Sequence, residues 1–115
     1  MPAPAASPLV FTCDPAAEGK RTPAECPACQ QTQDCYDLSW GAISCNLKHH
    51  IRAEAFFAQQ LMSGRKPADV VAEKKTYMAR LDAEKLSAEA QLNKAYNDFM
   101  DCKARCRVRT SHLER

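Results

Sequence analysis

Two long stretches of this chain carry apolar residues at a helical period. In the second stretch, steps of three and four from Val71 reach Lys74, Met78, Leu81, Lys85, Ala88, Leu92, Ala95, Phe99, Cys102 and Cys106. Nine of these eleven positions are apolar or Cys, the stripe of a coiled-coil type helix. In the first stretch, the same steps from Cys26 reach Cys29, Gln33, Tyr36, Trp40, Ile43, Leu47, His50, Glu54, Phe57 and Leu61. Eight of eleven are apolar or Cys, so each predicted helix turns a cysteine pair onto its own seam.

Punctuation sets the boundaries. Thr22 suits a helix cap, Pro23 the first helical position and Glu25 the third, a capping box. Pro27 still falls close to the first turn, where a missing N–H costs little. Between the stretches stands Ser63-Gly64-Arg65-Lys66-Pro67. Gly64 reads as a C-terminal cap, Pro67 as a new first position, and Asp69 suits the following turn. The prediction is an all-α domain over 22–110: helices at about 23–63 and 67–109, joined by a turn short enough to force them antiparallel. Residues 1–21 are rich in Pro and Ala and have no period, so they read as an extended arm; 111–115 form a tail.

Folding the chain about Arg65–Lys66 sets residues level when their numbers add to about 131. Cys29 then lies level with Cys102, and Cys26 almost level with Cys106. The turn was placed from Gly64 and Pro67 alone, so the agreement is an independent check. The expectation is two bridges, Cys26–Cys106 and Cys29–Cys102, that staple the open end of a hairpin whose own core is small. Two alternatives use the same residues. Cys26-Pro-Ala-Cys29 resembles the Cys-Pro-x-Cys of thiol oxidoreductases, although those place it after a strand. Four thiolates from Cys26, Cys29, Cys102 and Cys106 also have spacings that suit zinc.

Composition narrows the class. The chain has 115 residues, the size of one domain, and only 3 glycines with few aromatics, which argues against an all-β fold. A net charge of +2 is too small to imply nucleic-acid binding. No apolar run approaches the length of a membrane span, and neither a secretory signal nor an Arg-rich presequence is visible. Seven cysteines exceed ordinary cytosolic usage and favour an oxidising compartment or a bound metal. The odd count leaves a thiol over. A further bridge, Cys13–Cys35, would pin the arm back and leave Cys45 free; the alternative is that Cys13, Cys35 and Cys45 are small, semi-buried apolar residues.

Catalytic signals are weak. His49 and His50 are adjacent and so point apart on a helix. The carboxylates fall at helix-surface spacing, and no glycine-rich phosphate loop exists. Lys103, Arg105, Arg107, Arg109 and Arg115 complement a helix C-terminus and offer a patch for phosphate or an acidic partner. Near the turn, Ile51, Phe56, Phe57, Leu61, Met62, Val70 and Tyr77 offer more apolar surface than two straight helices cover, which predicts a partner-binding surface unless the helices bend to bury it. No catalytic residue, metal, cofactor, small-molecule substrate or nucleic acid is expected.

Two antiparallel helices, each with a cysteine pair, resemble the coiled-coil-helix–coiled-coil-helix proteins of the mitochondrial intermembrane space. "CYDLSWGAISC" has that family's nine-residue spacing, Cys35 to Cys45, and "AYNDFMDC" is similar to the aromatic approach to its second-helix cysteines. The second helix departs from the pattern: three residues separate Cys102 and Cys106, a spacing more like that of the small translocase chaperones. Cys35 and Cys45 stand ten apart and do not match that pair, so Cys26 and Cys29 are preferred. The resemblance implies oxidative import without a cleaved leader and a place in the intermembrane space, peripheral to the inner membrane. Family members include accessory subunits of respiratory complexes, complex I above all, as well as assembly factors, metallochaperones and import chaperones. The expectation is a non-enzymatic accessory or scaffolding subunit whose partners are protein subunits of a membrane complex. The alternative is a metal- or thiol-handling assembly factor or an import chaperone.

Overall fold

The structure, a computed structural model, describes residues 11–19 and 23–113, the side chains of 108–113 excepted. Its elements are α1 (Pro15–Glu18), a 3-10 turn (Pro27–Cys29), α2 (Gln30–Met62) and α3 (Pro67–Leu113). Among the described residues there is no strand. α2 and α3 pack side by side as a hairpin, and the molecule is a rod of 75 × 20 × 15 Å.

The turn is built as the sequence predicts. Gly64 takes φ +89°, a left-handed conformation that glycine adopts without steric cost. Ser63 closes α2 by donating its hydroxyl to the Gln60 carbonyl at 2.7 Å. Arg65 then clamps Glu73 with two parallel hydrogen bonds of 2.7 and 2.9 Å, fixing the turn to the first coils of α3.

Two boundaries differ from the prediction. α2 begins at Gln30, not near Pro23, and Thr22 of the expected capping box lies outside the described residues. The cause is Pro27. The residue before a proline is driven out of the helical region, and Cys26 is extended at φ −108°, ψ 118°. The chain therefore turns helical only at that proline, with one 3-10 turn. In place of the capping box, Gln30 Oε1 accepts the Ala24 N–H at 2.9 Å. α3 runs on to Leu113, through part of the expected tail.

Over its described part the arm is interrupted by one helical turn, with Asp14 and Gly19 extended on either side. Asp14 caps a single turn, α1, by accepting the Ala16 N–H at 3.1 Å. The arm runs antiparallel to α2. Phe11 lies beside His49, Cys13 beside Cys45, Pro15 beside Gly41 and Gly19 beside Asp37. Backbone meets backbone at the last two points: a Cβ on Gly41 would overlap the Pro15 carbonyl, and one on Gly19 the Asp37 carbonyl. Glycine is required at both crossings.

The core sits toward the turn. Ala53, Phe56, Phe57, Val70 and Leu81 are buried together, with Tyr77 and Met78 packed against them. This corrects the predicted partner surface. Phe56, Phe57 and Val70 are interior residues, Tyr77 is half-buried, and only Ile51, Leu61 and Met62 of that group are exposed. An α-helix drifts by about 20° per heptad from a 3.5-residue seam. The predicted α2 seam holds only in part: Trp40, Leu47 and Leu61 are exposed, the buried line runs to Ala53 and Phe56, and on α3 Val70 is buried in place of Val71. Both phenylalanines face inward, edge to face at 5.2 Å. Asn46 adds a polar tie by donating to the Leu81 carbonyl at 3.1 Å.

Candidate functional site

The cysteines gather at two places. At the open end, Cys26 is bonded to Cys106 and Cys29 to Cys102, each with an S–S distance of 2.03 Å. Cys29 follows Cys26 by three positions and Cys106 follows Cys102 by four, yet the rungs match. Three residues of 3-10 helix rise about 6 Å, and so do four of α-helix. The tight turn that Pro27 imposes makes the two spacings commensurate. Cα separations are 6.4 and 5.8 Å, within the ordinary disulfide range.

These bonds favour the staple among the chemistries open to the four sulfurs. Cys26 and Cys29 are not bonded to each other; each is committed to α3. A sulfur in a disulfide is not a thiolate ligand, so the bonded pairs and a four-thiolate zinc site exclude one another. Among the described residues, no group of three or more His, Cys, Asp or Glu has the arrangement of a metal site.

The third bridge corrects the sequence reading. Cys13 joins Cys45, not Cys35, with Cα atoms 5.7 Å apart. Cys35 is the free, exposed thiol. The two candidates on α2 are about 15 Å apart along its axis, so the placement of the arm alone decides between them. With Gly19 already level with Asp37, Cys13 lies well past Cys35 toward the turn. Other contacts reinforce that register. Lys48 pairs with Glu18 at 2.6 Å, and the Arg52 guanidinium lies 5.0 Å over the Phe11 ring.

The remaining polar residues do not converge. His49 hydrogen-bonds the Tyr77 hydroxyl, while His50 turns toward Asp82 at 3.7 Å. Glu54 pairs with Lys74, Glu84 with Arg80 and Asp98 with Lys94, all on the surface. Asp37, which sequence reasoning did not single out, is buried where the arm crosses α2. Its only sequence signal is the neighbouring Gly41. Glu73 has a displaced carboxyl equilibrium. The hydrogen bond from Arg65 holds it below the ordinary glutamate value, and the guanidinium charge adds to that.

Beside the paired bridges, an open groove of about 760 Å³ runs over Cys26, Cys29 and Phe99, with Lys103 and Arg107 on its rim. Lys103 lies 5.7 Å over the Phe99 ring. Of the predicted basic patch, Lys103 is half-buried, Arg105 and Arg107 are exposed, and the side chains of Arg109 and Arg115 lie outside the described residues. Among the described residues no helix is long and apolar enough to cross a membrane. Comparison with protein-family models, with curated proteins and with solved structures finds no match to this chain.

Proposed function

We propose that this chain is a non-enzymatic scaffolding rod: an accessory subunit of a mitochondrial membrane complex on the intermembrane-space side, with respiratory complex I as first choice. The observation that carries the reading is the double rung at the open end, Cys26–Cys106 and Cys29–Cys102. It ties every sequence-predicted reactive sulfur into cross-links whose physical effect is mechanical. The bridged residues are 80 and 73 apart in sequence, and by the chain-entropy model closing one such loop stabilises by about 4 kcal/mol. A hairpin with five buried residues in its core gains much from that constraint. The compartment and the complex rest on the resemblance in cysteine placement to coiled-coil-helix–coiled-coil-helix proteins, and on the oxidising conditions that such bridges need. Protein subunits are the partners, with no small-molecule substrate.

Non-reducing peptide mapping of the native protein, followed by its co-purification, tests the reading. Three inert bridges and a constant ratio to one inner-membrane complex are expected. Bound zinc with free thiols, or a readily cycling Cys26–Cys29 bond, would move the protein to the metal- or thiol-handling class. Transient association with many apolar clients would make it a chaperone.

A further inference from the structure

After the arm and α3 have covered their shares, α2 keeps a third face. Trp40, Leu47 and Leu61 stand seven and fourteen residues apart, and Ile51 follows Leu47 by one turn. They are 48, 60, 46 and 61% exposed. α3 offers Val71, Leu86 and Tyr96, also exposed. The Tyr36 ring ties both sets to one side of the rod, 5.8 Å from Tyr96 and 6.4 Å from Trp40. An exposed seven-residue series that is apolar at Trp40, Leu47 and Leu61 and charged at Glu54 has the spacing of a packing seam with one polar position, and its natural occupant is another helix.

We propose that this face binds a second copy of the chain about a twofold axis running along the rod. Such an axis preserves level and sets α2 of one copy over α3 of the other. Leu47 then meets Leu86 of the partner subunit, and Leu61 meets Val71 of the partner subunit. Charge agrees as well. Glu54 comes level with Lys75 of the partner subunit, and symmetry makes that pair twice. Within one chain Glu54 is held by Lys74 at 2.7 Å, which leaves Lys75 to face outward. From Trp40 to Leu61 the face is about 30 Å long, and the rod is 20 Å wide. That is on the order of 600 Å² per partner, somewhat under the standard ~800 Å², so the dimer is weak and dissociates on dilution. This claim is independent of the accessory role. A monomer in solution leaves that role standing, and a dimer does not establish it.

Sedimentation velocity of the full oxidised chain over a concentration series tests the proposal. A dimer should form as concentration rises. Leu47→Glu, at an exposed site, should raise the dissociation constant at least about tenfold with helicity and bridge pattern unchanged. Glu54→Lys and Lys75→Glu should each weaken the dimer, and together in one chain restore most of it. A protein that stays monomeric at every concentration overturns the proposal and leaves the face to a helix of another protein. So does a dimer indifferent to Leu47→Glu, or a double variant no better than the singles.

Discussion

Gly41 lies so close under the Pro15 carbonyl that the smallest side chain would overlap it. The contact is backbone on backbone, so it cannot be relieved by a rotamer change. Gly41→Ala should therefore lift α1 from α2 against the pull of Cys13–Cys45. We expect a loss of about 1–3 kcal/mol, read from denaturant unfolding of the oxidised protein. An unchanged midpoint would mean that the arm does not sit on Gly41 in solution.

The two rungs at the open end should be strongly non-additive. Replacing Cys29 and Cys102 by Ser leaves the same loop closed by Cys26–Cys106 a few residues away, at little entropic cost. Removing all four cysteines opens it and should cost about 4 kcal/mol. Thermal unfolding of the single-rung variants and of the rungless variant gives the comparison. Equal, additive losses would show that each bridge acts through local packing, not loop closure.

Phe57 and Met62 separate interior from surface. Phe57 is 2% exposed and packs on Phe56 and Tyr77, whereas Met62 is 88% exposed. Phe57→Ala should destabilise by about 3–5 kcal/mol, and Met62→Ser should stay within about 0.5 kcal/mol. Comparable losses in urea unfolding would place the core elsewhere.

The Arg65–Glu73 clamp gives the turn a pH dependence. Arg65 lowers the folded-state pKa of Glu73 through its hydrogen bond and its charge. The folded protein then takes up that proton at lower pH than the unfolded chain does. The clamp's contribution is whole above the unfolded glutamate value and is lost as pH falls through the lowered folded one. An NMR titration of Glu73 should show an upward move in Arg65→Gln, and the stability gap between the two proteins should close in acid. Identical Glu73 titrations in both would show that the clamp is not formed.

The hairpin was legible because its signals are local and periodic. Gly64 and Pro67 mark the turn, two seven-residue stripes mark the helices, and the register that follows sets Cys29 beside Cys102. The arm was not legible. Residues 11–19 have no period, and what docks them is a close backbone approach at Gly41 and a bridge chosen by where the arm lies. The late start of α2 was readable in principle, since Pro27 forces Cys26 out of the helix. The identity of the interior near the turn was lost to the mismatch between 3.5 and 3.6 residues per turn, which carried Phe56 and Val70 inward.

A single cross-link is a pivot about which one rod can still swivel. Two cross-links one coil apart remove the swivel, so α3 can neither roll about its long axis nor ratchet along α2. Whatever this rod touches, it presents the same side every time, and the orientation is set at the open end of the hairpin, far from the bend.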